Sequence, residues 1–560
     1  MQRFLLAKCA WLVLFAAVCA VYFYGLGAVP LLGPDEPRYA EVAREMLARG
    51  DLVTPTLGGH TWFEKPALVY WLMMAAYRVF GVSEFAARAG SALSGVLTIL
   101  FVGWAAARAE FESGERMRGF AFACAAVMAS SGGLLAFARA ASFDVVLTAT
   151  VAASLACFYV SEVERDEGRR RWLLAGFYAC TGLSLLAKGL VGVIIPAGVV
   201  VVYFLLRRRW PGLGRLGVWW GSLLMLAVAA TWYAPVVARH GRVFVDEFIV
   251  RQHFARYVSD KYHHAQPFYF YLPVMLLLAL PWTLFLLNGL AATGETNARA
   301  EDAESKLSVL ALAWLIVPVL FFSASGSKLP GYVLPALPGA ALLAGVGVHG
   351  YLRGGGGVLT MRLTGALTLL LSAAGWVYAY QTFTPGAGVW TSGKFPTGCV
   401  LAVTLPAGAC GLVALVGARR RALCFACVVG ATLLTVLMIV GCALGVFARR
   451  ETVGQLLSEA GREGYGNLPV VQLHAVERTA EFYAAGRLAY DERGEPLKLE
   501  GSKEVAEFTR RGGGQALVIV PVRDAQQLSA EPEIESSYVG DNGSVALFLV
   551  RTDVTGSSKP

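Results

Sequence analysis

Three observations predict a polytopic α-helical membrane protein of about 13 transmembrane helices with a small α/β domain at its C-terminus. Apolar runs of the length that crosses a bilayer recur from the N-terminus to Phe447. Hydrophobic residues fill 56% of the 560 positions and charged residues only 16%, which excludes a water-soluble enzyme. From Arg449 onward the runs give way to short apolar stretches separated by turn residues.

Broken at charges, Pro and Gly, the runs place spans at 9–25, 90–108, 119–139, 145–161, 172–187, 189–206, 217–237, 269–288, 307–323, 331–350, 361–381, 398–417 and 423–447. The first follows Arg3 and Lys8 and has only a weak small-x-small signal at Ala17 to Ala20, so it reads as an uncleaved span with its N-terminus inside. Arg116, Arg118, Arg169 to Arg171, Arg207 to Arg209, Arg353 and Arg419 to Arg421 then share the cytoplasmic side, in accord with the positive-inside rule. An odd span number leaves the tail outside. The net charge of +9 is thereby assigned to anchoring, and no aromatic residues interleave with the Arg triplets as base stacking requires, which argues against nucleic acid as a partner. All ten cysteines lie in or beside apolar runs, so disulfides are not expected and Cys424-x-x-Cys427 reads as packing within a span.

The outer loops 26–89 and 238–268 belong, in this reading, to a membrane domain of residues 1–447. Pro37 to Arg49 carries Tyr39, Val42, Ala43, Met46 and Leu47 on one helical stripe, with Glu41, Arg44, Glu45 and Arg49 off it, the pattern of a helix lying in the membrane surface. Pro66 to Phe80 is apolar but too short to cross, with Pro66 suited to a first helical turn. The two together would roof an outer cavity. The soluble domain, 448–560, shows strands at Pro469–Leu473, Ala516–Pro521 and Val545–Arg551, a helix over Ala475–Gly486 and a hairpin turn at Asp541-Asn542-Gly543. It has no concentrated acid/base constellation, which points to a structural or acceptor-guiding role.

Chemistry is expected where ionisable residues abut the apolar runs, because charges at a membrane boundary are costly unless they have a use. Asp35, in Gly33-Pro34-Asp35-Glu36-Pro37-Arg38-Tyr39, suits a general base; it equally suits a helix cap, as Ser142 or Asp144 does for the span that follows. Lys65, Arg139, Lys188, Arg251, Arg256 and Lys328 all fall on the outer side, where few basic residues are expected. A phosphate or diphosphate lipid headgroup would satisfy several at once, and snorkelling to the interface is the alternative. His253, His263 and His264 share one outer loop, and Glu64 with His264 forms either a partial ligand set for a metal or part of a polar, aromatic belt. Lys328 and Tyr332 stand at the mouth of a span as a phosphate clamp or an interfacial anchor.

Six ordered motifs carry a family resemblance: Gly33-Pro34-Asp35-Glu36-Pro37-Arg38-Tyr39-Ala40-Glu41, Phe63-Glu64-Lys65-Pro66, Ala138-Arg139 with Asp144, Ala187-Lys188-Gly189, His264-x-x-Pro267-Phe268-Tyr269-x-Tyr271 and Lys328-Leu329-Pro330-x-Tyr332. They resemble the bacterial aminoarabinose transferases, within the dolichyl-phosphate-mannose protein mannosyltransferase-like superfamily. The resemblance implies a GT-C fold in the bacterial inner membrane and transfer of a sugar from a polyprenyl-phosphate carrier to lipid A or another envelope acceptor at the periplasmic face. It implies catalytic roles for Asp35 and Asp144, with Glu36, Arg38, Tyr39, Arg139 and Lys188 in the same site. Lys65, Arg256, Lys328 and Tyr332 would hold the carrier phosphate, and Glu64 with His264 a divalent cation such as zinc. A protein hydroxyl as acceptor, or a transporter of the lipid-linked sugar, are the competing readings; a transporter favours a midplane site and paired halves, whereas these charges gather at one face.

Overall fold

The computed structural model describes residues 2–255, 266–295, 298–383 and 397–552. Its first ten helices are α1 (Gln2–Phe23), α2 (Asp35–Arg49), α3 (Leu68–Phe80), α4 (Glu84–Ser113), α5 (Phe120–Ala129), α6 (Gly132–Ala138), α7 (Phe143–Val163), α8 (Glu167–Lys188), α9 (Val191–Arg207) and α10 (Val218–Phe244). The chain divides into two compact units: Met1–Leu26, Phe63–Leu72 and Arg88–Gly441 form the first, and Gly27–Trp62, Met73–Ala87 and Cys442–Pro560 the second.

Among the described residues eight helices are long and apolar enough to cross a membrane, or ten if each of two bent pairs is one span. Their burial separates centre from rim. The windows in Phe143–Val163 and Pro330–Arg353 are 83% buried inside the protein and that in Cys399–Val416 only 11%, so the last of these turns its Leu405, Leu412 and Val416 outward, as a lipid-facing helix does. Helices α7 and α8 are joined by a hydrogen bond of 2.8 Å between the Ser154 and Thr181 hydroxyls, buried polar glue typical of helix pairs in lipid.

Two expected spans are not continuous. The run 119–139 bends by 54° between α5 and α6, where the Ser130 and Ser131 hydroxyls donate back to the Ala126 and Val127 carbonyls and close α5. The run 269–288 bends by 110° between Tyr271–Leu278 and Thr283–Gly294, at Pro281, which cannot continue a helix.

The second unit holds a short antiparallel hairpin, β1 (Thr56–Leu57) and β2 (His60–Thr61), and a five-stranded sheet of order β4-β3-β5-β7-β6, built from β3 (Val470–Leu473), β4 (Lys498–Leu499), β5 (Gln515–Pro521), β6 (Glu535–Asp541) and β7 (Val545–Arg551), with β3 parallel to its two neighbours and the rest antiparallel. Period-two alternation sends Leu517, Ile519, Leu547 and Leu549 to one apolar cluster and Val518, Val520, Phe548 and Val550 to the other. The expected helix Ala475–Gly486 contracts to Ala480–Tyr483. Strand β6 was not expected, because Glu535-Ser-Ser-Tyr-Val-Gly-Asp541 is a largely exposed edge without apolar alternation.

Compact packing groups the residues differently from the expected division at 447/448: segments 27–62 and 73–87 of the first outer loop lie in one unit with the C-terminal sheet. Arg44 donates to the Phe482 carbonyl at 3.1 Å and Tyr483 Oη accepts from the Leu31 amide at 2.8 Å. Helix α2 is accordingly covered on more than its apolar stripe. Glu41, expected on the polar face, is 2% exposed and ion-paired with Arg44. Burial pushes its carboxyl up to about 7 despite the Arg44 charge. Glu481, paired with Arg478 at 2.8 Å and Arg38 at 3.5 Å, is likewise raised by burial.

Candidate active site

In the first unit three chain segments bring the expected site residues together. Helix α7 is capped by Ser142, whose hydroxyl accepts from the Asp144 amide at 3.2 Å. Asp144 therefore does not cap, and its carboxylate pairs with the Lys188 ammonium. Lys188 ends α8 because Gly189 follows at φ 71° and ψ −148°, a conformation open to glycine, and the chain turns straight into α9. Tyr332, in the turn Pro330–Ala336, lays its ring 4.2 Å from Lys188 Nζ. Gly331 is needed beside it, since a Cβ there would run into the Asp144 carboxylate and the Phe137 ring. Asp144 and Lys188 are 17% and 12% exposed, so the pair is largely shielded from water.

Lys188 and Tyr332 face a cavity of about 320 Å³ whose lining divides by chemistry. Glu64, Lys65, Lys188, Gln252, Ser325, Ser327 and Tyr332 supply polar atoms, and Leu190, Val191, Ile194, Phe248, Phe321 and Phe322 an apolar wall. Lys65 and Glu64 pair at 3.0 Å. Two ammonium groups beside apolar walls suit a phosphate attached to a hydrocarbon chain.

Other expected residues have different surroundings. Lys328 is 7% exposed and donates to the Ser325 carbonyl at 2.6 Å. Arg139 caps the end of α1, donating to the Val21 and Tyr24 carbonyls. In the second unit, Glu36 accepts from the Leu32 amide at 2.9 Å, Tyr39 is buried, and Arg38 lies 4.9 Å over the Trp62 ring and pairs with Glu481. Those three hold α2 in its unit. Asp35, the first residue of α2, is exposed, and its helix has no side-chain cap. Arg256 and His264 lie outside the described residues, as does His263. Glu64 is thus the one member of the expected zinc pair that is described, and among the described residues no three His, Cys, Asp or Glu side chains gather; no chemical step is assigned to a metal. The sequence reading missed Ser325, Ser327, Gln252 and the apolar wall. Gln252, beside Arg251 in the outer loop 238–268, was the available signal, whereas the wall residues are indistinguishable from ordinary span residues.

The sequence and the fold both have known relatives. Residues 9–243 match the family model of dolichyl-phosphate-mannose-protein mannosyltransferase. The undecaprenyl phosphate-alpha-4-amino-4-deoxy-L-arabinose arabinosyl transferase of Pseudomonas aeruginosa is 34% identical over 370 residues, 65% of this chain and 63% of that protein, so the match spans less than two thirds of the relative's length. The crystal structure of ArnT from Cupriavidus metallidurans bound to undecaprenyl phosphate has a TM-score of 0.77 at 24% identity and covers 98% of this chain and 99% of that one. The archaeal oligosaccharyltransferase AglB from Archaeoglobus fulgidus has a TM-score of 0.50 at 12% identity, covering 96% and 74%. By its fold the chain is of the GT-C type seen in these structures, and its sequence is similar, over part of each relative's length, to the aminoarabinose transferases and, over residues 9–243, to the mannosyltransferase family model.

Proposed function

We propose that this protein is a glycosyltransferase that moves a sugar, in the leading reading aminoarabinose, from an undecaprenyl-phosphate carrier to lipid A or another envelope acceptor at the periplasmic face of the bacterial inner membrane. The observation that carries the reading is the divided cavity, with Lys65 and Lys188 beside an apolar wall. An acceptor oxygen bonds to the anomeric carbon as that carbon's bond to the carrier phosphate breaks, and the polyprenyl phosphate leaves with the electron pair. Negative charge grows on the leaving phosphate, where fixed ammonium groups stabilise it without a general acid. Asp144 positions Lys188 through their ion pair. Asp35 takes the proton of a hydroxyl acceptor, or orients an acceptor that is itself a phosphate.

The topology follows the same reading. Adding α1, α8 and α9 to the eight long helices and two bent pairs makes thirteen spans, with the Arg-rich loops inside and the C-terminal sheet in the periplasm. The direct test is a lipid mass spectrum of cells with and without the protein, followed by purified protein given a labelled lipid-linked sugar. Label on a lipid acceptor with release of undecaprenyl phosphate supports the proposal. Label in the protein fraction would make the acceptor a protein hydroxyl, and movement of intact donor without release would make the chain a transporter.

A further inference from the structure

Helix α8 touches a cavity at each end. Its last residue, Lys188, lines the cavity described above, and its first turn lines a second one of about 620 Å³, together with the loop before α10. From Arg170 to Lys188 α8 rises about 27 Å, close to the thickness of a bilayer's apolar core, so in the proposed topology the two cavities lie near opposite faces of the membrane.

The second cavity is lined by Glu167, Arg170, Arg171, Trp172, Arg215 and Trp220, among others. Arg170 is 4% exposed; its guanidinium reaches Glu167 at 3.3 Å and donates to the Arg215 carbonyl at 2.7 Å, yet its buried Nε has no hydrogen-bond partner among the described residues. Glu167 is thereby engaged. Arg171 and Arg215 are exposed and form no ion pair within 4 Å among the described residues, while the Glu162 carboxyl lies close enough to Arg170 and Arg215 to interact with both electrostatically. Trp172 and Trp220 are 81% and 40% exposed, and tryptophans so placed mark the level of lipid headgroups. Three arginines and two interfacial tryptophans around a cavity of this size, with Glu167 engaged by Arg170 and Glu162 nearby, leave the site net positive and suited to an anion held at membrane depth, beyond what positive-inside anchoring alone requires.

We infer that this cavity binds the phosphate of an anionic phospholipid from the leaflet opposite the sugar-transfer cavity. The inference rests on the spanning of α8 and not on the reaction assigned to the other cavity. It is tested with the purified full chain in neutral detergent by native mass spectrometry and lipid titration, using phosphatidylglycerol, phosphatidylcholine and inorganic phosphate as separate probes. Arg170 stays unchanged because it is buried; Arg171→Gln with Arg215→Gln removes two exposed cations that hold no structure. Retention of phosphatidylglycerol is expected to fall roughly thirtyfold in the double variant, with gel-filtration profile and lipid-free thermal unfolding as in the wild type. A control, Arg419→Gln with Arg420→Gln, is expected to leave retention unchanged. Equal retention by the Arg171/Arg215 variant, an equal loss in the control, or inorganic phosphate competing as well as the lipid would each overturn the assignment.

Discussion

Lys188 stands between two anions in the proposed mechanism, the Asp144 carboxylate that it pairs with and the carrier phosphate. Lys188→Met removes the ammonium and keeps the stem, and two separable losses are expected. The first is stability: an exposed ion pair contributes about 1 kcal/mol at most, and stranding one partner of a fully buried pair costs roughly 3–5 kcal/mol. With side chains 12% and 17% exposed, the pair falls between these limits, near 2 kcal/mol. The second is binding: one charge-assisted bond to phosphate contributes about 2 kcal/mol, or roughly thirtyfold in Kd. Adding Asp144→Asn to Lys188→Met removes the stranded charge, so stability returns while binding does not. The assay is titration of undecaprenyl phosphate against wild type, both single variants and the double variant in detergent, with thermal unfolding measured alongside. If Lys188→Met binds as wild type, or if the double variant regains wild-type affinity, Lys188 is only the counter-ion of Asp144 and the phosphate assignment is wrong.

Asp35→Asn is expected to leave the protein folded and inserted but nearly inactive in lipid-linked sugar transfer, because the exposed carboxylate caps no helix; near wild-type turnover would remove Asp35 from the chemistry. Gly331→Ala is expected to displace the Asp144 carboxylate and cut turnover at least about tenfold while the C-terminal unit stays intact, read by transfer assay and limited proteolysis together. Lys65→Ala is expected to weaken carrier binding by about 1.5–3 kcal/mol, and unchanged affinity would leave its pair with Glu64 as its sole role. The buried Glu41 titrates near 7 when folded, against an ordinary value of 4.5. Its protonated form stabilises the fold fully below about pH 4.5, and that contribution, roughly 3 kcal/mol, is lost as pH rises through about 7. Glu41→Gln is therefore expected to flatten the pH dependence of thermal unfolding between pH 5 and 8.

By itself the sequence was sufficient for the membrane class, the order of the helices and the strands β3, β5 and β7, because apolar length and period-two alternation are local properties that burial enforces in any context. It also named Asp35, Lys65, Asp144, Lys188 and Tyr332, since an ionisable residue next to an apolar run is conspicuous wherever it sits in the fold. What each residue touches was decided by tertiary structure. Asp35 and Asp144 were equally good helix caps on paper; only packing shows that Ser142 caps α7 and frees Asp144 to pair with Lys188, 44 residues away. Arg38, Arg139 and Lys65 look alike in sequence, yet one stacks on Trp62, one caps α1 and one lines the cavity. The allegiance of residues 27–62 to the C-terminal sheet was invisible for the same reason. It depends on contacts such as Arg44 with Phe482, across 438 positions, and an amphipathic stripe states that a face will be buried without stating against what.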